Sequence, residues 1–343
     1  MQLRKITVRV ALLAVSIASA GGLIAQQDPA TRLKDATSLM ALGSVDQKPW
    51  HLKLDVTVFD DAGKNPVDGT IEVWKSGDES RQVFTFGTSV LTRLQKGKDI
   101  YREGTTDAVP YRATEILEQV LHPGPVVEDE LSSKPTMSEH KFGNVTLDCI
   151  MLGQPVRGMH TVPLGLYPTF CLTPGTDEIR STHNFGSRTV VINAIGNFLG
   201  HKVAAQVDVL SGTSTVATAK ITGLAIYTPD PDQFVPTPEM QHNFANVARI
   251  SGGVIAGNIL TKAAPVYPES ARSNHVGGTV VLHALIGRDG HVYALRPVSS
   301  PDDDLTISAV AAVRQWTYKP YLLNGVPTEV DTTIMVNFNL SPF

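Results

Sequence analysis

The chain has 343 residues, of which 42% are hydrophobic and 18% charged, and its formal net charge at pH 7 is -4. This length suggests about two domains, and the composition is too apolar for an intrinsically disordered chain. The slightly acidic balance, with no Lys/Arg run after the N-terminus, gives no reason to expect a nucleic acid as partner.

Residues 1–25 predict a secretory signal peptide or an uncleaved N-terminal anchor. Arg4, Lys5 and Arg9 precede an apolar run from Val10 to Ala25, which is the order of charge and hydrophobicity found in export signals. The run is somewhat shorter than the ~20 residues that a spanning helix prefers, although the cationic residues would hold the start of an anchor in the cytoplasm. Both alternatives predict a periplasmic or extracellular protein, with or without attachment to the inner membrane.

The region from residue 28 to residue 228 predicts a β-rich domain. Helical spacing is found at 28–43 and 111–121, while alternating apolar residues predict several strands, most regularly at 52–58 and 203–209. Residues 124–141 are polar and predict a loop. The many short strands favour a curved antiparallel sheet or half-barrel.

The only two cysteines of the chain, Cys149 and Cys171, lie in this region. A pair of cysteines in an exported protein predicts one disulfide. The alternative is two buried thiols on separate strands.

Prolines in the sequences Pro229-Asp230-Pro231 and Pro236-Thr237-Pro238 interrupt the strand pattern. They favour extended backbone and cannot donate to a ladder, so residues 229–249 predict a linker. Residues 250–343 then predict a second domain, with a hairpin turn at Gly287–Gly290, a helix near 304–315 and a closing strand that alternates between apolar and polar residues. The whole chain is predicted to be α+β: a mostly antiparallel half-barrel-like domain, followed by a small domain with two helices on an antiparallel sheet.

Motifs between residues 250 and 340 resemble the C-terminal domain of the TonB family. The matching residues are Tyr267-Pro268, Gly278-Thr279-Val280, the turn Gly287 to Gly290, Ala309 to Trp316, Tyr318-Lys319-Pro320 and Asn324-Gly325-Val326-Pro327. The resemblance implies a domain whose sheet edge takes up an extended segment of an outer-membrane receptor or another envelope protein. Inner-membrane motor proteins are a further class of partner, although the apolar N-terminal segment lacks the histidine through which family members couple to the motor.

The resemblance also implies which residues contact the partner. Carried over by position, they come from two segments: Ala264, Pro265, Val266 and Tyr267, and from the closing strand Glu329, Asp331, Thr333, Met335 and Asn337. Ala264 stands where the better-known members carry glutamine. Taken individually, the aromatic residues Tyr267, Trp316 and Tyr318 are more typical of a domain core.

The N-terminal region is similar to LolA-type half-barrels, which hold lipids or lipoprotein acyl chains. The similarity lies in Trp50–Val58, Gly69–Trp74 and Tyr101–Gly104 and rests partly on architecture. It implies a lipidic ligand and an alternative function, a periplasmic lipid or lipoprotein carrier with a TonB-like docking module. A β-rich spacer is the competing interpretation.

Motifs of the common enzyme classes are absent from the sequence, including HExxH, GxSxG and the P-loop. We therefore predict no catalytic residues, no cofactor and no metal site, and a binding protein rather than an enzyme. His283 lies between apolar neighbours and is predicted to be a hydrogen-bonded core histidine.

Overall fold

The computed structural model describes residues 28–44, 48–60, 62–104, 109–125, 135–153, 164–184, 188–243, 247–323 and 325–340. The predicted export segment, residues 1–25, lies outside this described part. Within the described part, no helix combines the length and the apolar character needed to cross a membrane.

The described residues between 28 and 243 build one antiparallel sheet of 13 strands. The strands are β1 (Trp50–Val58), β2 (Val67–Ser76), β3 (Glu79–Phe86), β4 (Ser89–Lys96), β5 (Asp99–Gly104), β6 (Thr136–Phe142), β7 (Val145–Met151), β8 (Thr169–Leu172), β9 (Ile179–Asn184), β10 (Arg188–Phe198), β11 (His201–Ser211), β12 (Ser214–Ile226) and β13 (Gln241–Asn243). Their order is β13-β5-β4-β3-β2-β1-β12-β11-β10-β9-β8-β7-β6. Two meanders, β1–β5 and β6–β12, are therefore joined where β1 pairs with β12. The predicted fold class is confirmed.

Two helices, α1 (Pro29–Met40) and α2 (Tyr111–Leu121), cover one face of this sheet. Side chains alternate between the two faces along each strand, and the apolar ones point to this face. Leu54 and its cross-strand partner Ile71 therefore lie on the same side. Leu33 from α1 and Leu117 from α2 complete the core without any exposed surface. We call this side the helix-covered face.

The loop predicted for residues 124–141 is wrong from Thr136 onward, where β6 begins. Strand β6 is the last strand of the sheet and exposes polar residues on both faces, so it lacks the apolar alternation that predicts a strand. In the proline-rich segment, β13 pairs with β5. Phe234 and Met240 in the same segment pack on Leu94, on the side opposite the helices.

The two cysteines lie directly opposite each other on β7 and β8 and are joined in a disulfide. Both are fully buried, in a small cluster with Leu147 and Leu164. Leu147 and Cys149 lie on one side of β7, while Ile150 belongs to the large core on the other side. The disulfide therefore links two strands on the face that the helices leave uncovered.

We expect that replacing both Cys149 and Cys171 by alanine lowers the free energy of unfolding by about 3 kcal/mol. The sequence separation is 22 residues, and closing a loop of this size restricts the unfolded chain to roughly that extent. Urea unfolding of the wild type and the double variant measures the difference. Mass spectrometry of the unreduced protein should show the crosslinked peptide, and two freely alkylated thiols in native material would refute the pairing.

Residues 247–340 form the C-terminal module. Its elements are β14 (Val247–Arg249), α3 (Gly252–Ala256), β15 (Ile259–Thr261), α4 (Glu269–Ser273), β16 (Gly278–Ile286), β17 (Val292–Ser299), α5 (Asp303–Val313), β18 (Thr317–Tyr318), β19 (Leu322–Leu323), β20 (Val326–Pro327) and β21 (Glu329–Phe338). The main sheet has the order β14-β21-β16-β17. Three of its strands are antiparallel, and the short β14 runs parallel to β21.

Helix α5 packs on the buried face of this sheet. Its N-cap is Asp302, whose carboxylate accepts hydrogen bonds from the backbone N–H groups of Asp304 and Leu305. Its apolar side, including Ala309, packs with Leu282 from the sheet. The turn at Gly290 needs glycine, because φ is positive there and a β-carbon would collide with the carbonyl oxygen of Tyr318.

The core position predicted for His283 is wrong. Its side chain lies on the solvent face of β16, partly exposed, and its Nε2 is 2.7 Å from Oδ1 of Asp331. Alternation places His283 on the face opposite Leu282 and Ala284, which belong to the core. The hydrogen bond was predicted correctly, and the burial was not.

Candidate strand-pairing site

Strand β21 presents one buried and one exposed row of side chains. Val330, Ile334 and Val336 belong to the core of the module, whereas Met335 and Asn337 are exposed. The row that faces away from the core contains the five predicted contact residues of this strand: Glu329, Asp331, Thr333, Met335 and Asn337. The structure thus places these five residues on one face.

The same alternation decides where the backbone groups of β21 point. The N–H of Ile250 donates to the carbonyl oxygen of Asp331 over 3.0 Å, so Asp331 directs its backbone away from β16 and towards β14. The register between β21 and β16 contains no bulge. In an antiparallel pair, alternate residues direct their backbone to opposite edges, so Thr333, Met335 and Asn337 face the same edge as Asp331.

Part of this edge is already occupied. Strand β14 pairs with Glu329–Asp331, and the next element, helix α3, packs directly against Thr333. A β-carbon at Gly252 would collide with the carbonyl oxygen of Thr333, so only glycine lets the helix approach so closely. Beyond Thr333, no strand of the described part of the chain pairs with Met335 or Asn337 on this side. We call the backbone edge at these two residues the open edge.

The opposite edge of the sheet is blunted by a proline. Pro297 in β17 lies opposite Leu282 of β16. Leu282 is the partner of Ile334 in β21 and directs its backbone to that strand, so the nitrogen of Pro297 faces outwards. Proline has no N–H to donate, and proline on an edge strand is a common protection against unwanted pairing. The open edge of β21 therefore offers a donor-and-acceptor pattern that β17 does not.

The second predicted segment, Ala264 to Tyr267, lies beside the helices of the module. The carbonyl oxygen of Ala263 accepts a hydrogen bond from Trp316 Nε1 over 2.8 Å, and that of Val266 accepts one from the hydroxyl of Ser308. Tyr267 donates its hydroxyl to the carbonyl oxygen of Val276 over 2.7 Å.

Only the last residue of this segment reaches β21. The ring of Tyr267 packs edge-on against Phe338, with 5.5 Å between ring centroids, whereas Val266 is 78% exposed. Trp316 and Tyr318 are buried in the core. The structure therefore brings Tyr267 to the C-terminal end of β21 and leaves Ala264 to Val266 along the helical side.

Three features of the site were not predicted from the sequence: the parallel strand β14, the close approach of Gly252 and the role of Pro297. Gly252 is the first residue of helix α3. Pro297 carried a usable signal, because a proline inside a strand pattern indicates an edge. The pairing of β14 connects segments about 80 residues apart, and no local pattern indicates it.

A small α+β module with one blunted and one open sheet edge belongs to the class of domains that can bind an extended segment through main-chain hydrogen bonds. Residues 263–340 match the family model described as Gram-negative bacterial TonB protein C-terminal. The C-terminal module is thus similar to the TonB C-terminal domain over these residues.

Among known proteins, Protein TonB of Vibrio cholerae serotype O1 is 32% identical over 77 residues, which is 22% of this chain and 32% of that protein. The chain therefore spans about a third of the length of this curated relative.

Two solved structures are similar to a larger part of the chain. A DUF1329 family protein from Desulfovibrio piger has a TM-score of 0.40 and 9% identity, with 62% of this chain and 100% of that chain covered. A LolA superfamily protein from Nitrosomonas europaea has a TM-score of 0.38 and 8% identity, with 60% and 96% covered. Both TM-scores are low, so the function of the N-terminal domain has to be argued from its own residues.

Proposed function

We propose that this chain is an envelope protein whose TonB-type module binds an extended segment of a partner by strand pairing along β21. The open edge at Met335 and Asn337 is the observation that supports this proposal. An outer-membrane receptor or another envelope protein is the partner class that the family match favours. Strand pairing needs no catalytic group, so binding is the function that we propose.

The open edge offers two N–H donors and two carbonyl acceptors. A hydrogen bond contributes about 0.5–1.5 kcal/mol net, so four of them give roughly 2–6 kcal/mol and only weak binding by themselves. Side-chain contacts have to supply the rest. Met335 is 63% exposed, and its flexible apolar side chain suits a partner that lays alternate side chains on this face.

Transmission of force to the partner is a further part of this proposal. It requires residues 1–25 to act as an inner-membrane anchor that contacts a motor protein, and these residues lie outside the described part of the chain. A covalent connection runs from them through the N-terminal sheet to β21. Pulling on the anchor would then load the paired strand.

The alternative function, a lipid or lipoprotein carrier, depends on room at the helix-covered face. That face is filled by α1 and α2, and Leu33, Ile116 and Leu117 have no exposed surface. An acyl chain could bind there only if one of the helices moved away from the sheet. Strand pairing needs no such rearrangement, and it is the function that the geometry supports better.

Replacing Met335 by proline is expected to weaken partner binding by roughly tenfold while the module stays folded. The variant removes one donor at the open edge, and the N–H of Met335 does not take part in the ladder with β16. A photo-crosslinking residue at Asn337, introduced into the chain in bacterial envelopes, reports binding through the amount of crosslinked partner. The same residue at the exposed Val298 on β17 serves as the control position.

Two further variants make this experiment decisive. Met335→Leu keeps both the N–H and the apolar volume, so its crosslinking should equal that of the wild type. Ile334→Pro removes an N–H that bonds to β16, so it should unfold the module and confirm the direction of the backbone. Undiminished crosslinking by a folded Met335→Pro variant, or stronger crosslinking from Val298 than from Asn337, would place the interface elsewhere.

A further inference from the structure

Strand β6 is an edge strand of the N-terminal sheet. It is the last of the 13 strands and pairs with β7 on one side. Among the residues that the structure describes, no strand pairs with its other side. The edge is seven residues long, from Thr136 to Phe142. An edge strand of this kind presents backbone donors and acceptors to which a strand of another chain can add.

The turn between β6 and β7 decides which backbone groups of β6 point outwards. Gly143 and Asn144 form a two-residue turn, and φ of Gly143 is 59°, as tight hairpins require. The residues on either side of such a turn, Phe142 and Val145, hydrogen-bond to each other through their backbones. Because the register continues without a bulge, alternate residues direct their backbone to the other side. The outward-facing N–H and carbonyl groups therefore belong to Met137, Glu139 and Lys141.

The position of the disulfide gives an independent check of this direction. Ser138 lies opposite Cys149, and by the same alternation the two residues direct their backbone groups to each other. Cys149 and Cys171 are then a pair without direct backbone hydrogen bonds, and such pairs have the shorter Cα separation of the two kinds. The observed Cα separation is 3.9 Å, which agrees with this assignment.

The outward-facing residues of β6 carry charges of both signs. Glu139 and Lys141 are exposed and lie on the same face as Met137, which packs against the core under the helices. Pro135, directly before the strand, continues their alternation, so its nitrogen faces outwards without a hydrogen to donate. A strand that adds to this edge therefore meets an acidic residue, a basic residue and a missing donor at fixed spacing.

This spacing makes β6 complementary to a second copy of itself. Two strands related by a two-fold axis across this edge pair antiparallel, and their outward-facing residues have to lie opposite one another to bond. With the axis at His140, Glu139 of each copy lies opposite Lys141 of the other. An axis at Glu139 or at Lys141 places two equal charges opposite each other, which is unfavourable. An axis at Ser138 pairs Lys141 with Pro135 and loses a donor at each end.

We propose that two copies of this chain associate through β6, in antiparallel register with the two-fold axis at His140. The pairing forms four main-chain hydrogen bonds, two at each pair of Glu139 with Lys141, and joins the two N-terminal sheets into one. Four such bonds and two charge pairs support a dissociation constant on the order of 10–1000 µM. The interface uses the N-terminal domain alone, so it does not depend on the strand pairing proposed for β21.

Charge reversal tests the register, with sedimentation equilibrium of the full chain between about 10 and 500 µM as the measurement. Glu139→Lys and Lys141→Glu each create two like-charge pairs, so each variant alone should self-associate at least roughly tenfold more weakly than the wild type. A mixture of the two variants places lysines of one chain opposite glutamates of the other and should associate like the wild type. The double variant with both substitutions should do so by itself.

The control for net charge is Lys98→Glu, at an exposed lysine in the turn between β4 and β5. It changes the charge of the chain by the same amount as Lys141→Glu, but away from β6 in the order of strands. Its association should equal that of the wild type.

Crosslinking tests the position of the axis. The two cysteines of the chain are joined in the disulfide, so an introduced cysteine is the only free thiol. His140→Cys places the thiols of two copies directly opposite each other, in the same kind of pair as Cys149 and Cys171, and mild oxidation should give a covalent dimer. The counterpart of Lys141→Cys lies two residues further along the paired strand, so this variant should crosslink roughly tenfold more slowly.

A wild type that sediments as a monomer over the whole concentration range overturns the proposal. So does a mixture of Glu139→Lys and Lys141→Glu that associates no better than either variant alone, because the two charges then do not face each other. Crosslinking of Lys141→Cys as fast as that of His140→Cys would equally contradict the axis at His140.

Discussion

Replacement of Trp316 by alanine should destabilise the C-terminal module by about 3–5 kcal/mol, the usual cost of truncating a buried tryptophan. Trp316 is 3% exposed and packs in the core of the module. Its Nε1 also donates a hydrogen bond to the carbonyl oxygen of Ala263. The ammonium group of Lys262 lies over its ring, 5.0 Å from the centroid. The variant therefore loses both the core packing and the anchor of the segment that leads to Tyr267.

Urea unfolding followed by amide exchange in β16 and β21 measures this change separately from the N-terminal sheet. Trp316→Phe keeps an aromatic ring but loses the N–H, so it should cost clearly less than alanine. If Trp316→Ala lowers the free energy of unfolding by less than about 1 kcal/mol, the ring is not buried in the core of the module.

A loss of similar size is expected in the N-terminal domain when Arg32 is replaced by alanine. Arg32 on α1 is buried, and its Nη1 pairs with Oδ2 of Asp148 on β7 over 2.8 Å. Its Nη2 donates to the carbonyl oxygens of Thr176 over 2.9 Å and of Thr173 over 3.3 Å. Removing one partner of a buried ion pair leaves the other charge uncompensated and typically costs about 3–5 kcal/mol. Urea unfolding of the two proteins gives the difference.

The double variant Arg32→Met with Asp148→Leu tests the reason for this loss. It removes the charges of Arg32 and Asp148 together and leaves only the more exposed Asp177, whose Oδ1 is 3.7 Å from Nε of Arg32. It should therefore be more stable than Arg32→Ala alone. Arg32→Lys keeps the charge but loses the planar guanidinium group. Its free energy of unfolding should lie between that of Arg32→Ala and that of the double variant. A double variant that is less stable than Arg32→Ala would show that the hydrogen bonds to Thr173 and Thr176, and not the unpaired carboxylate, dominate the cost.

Local periodicity was sufficient for most elements of the fold. Helix α2 was predicted with the bounds Tyr111–Leu121 that the structure has, because its apolar residues recur at helical spacing between Pro110 and Pro123. No strand pattern is predicted at β9, because the residues after Ile179 are polar even where they are buried, so they show no apolar alternation. Strand β6 was missed for the opposite reason, since it exposes polar residues on both faces at the end of the sheet.

The sequence predicts which side chains of β21 form the candidate site, but not which backbone groups form its open edge. Alternation in the sequence identifies which side chains of β21 point outwards, because side chains have a period of two along a strand. Which backbone groups remain without a neighbour depends on pairings between distant segments, such as β14 with β21.

Amide hydrogen exchange of individual residues in β21 is the most direct test of the strand-pairing proposal. In the chain alone, the amides of Met335 and Asn337 should exchange fast, while those of Ile334 and Val336, which bond to β16, should exchange slowly. With the partner segment identified by crosslinking bound, Met335 and Asn337 should become protected and the other two should change little. Protection of Met335 and Asn337 already in the chain alone, or unchanged fast exchange of both with the partner bound, would contradict strand pairing at the open edge.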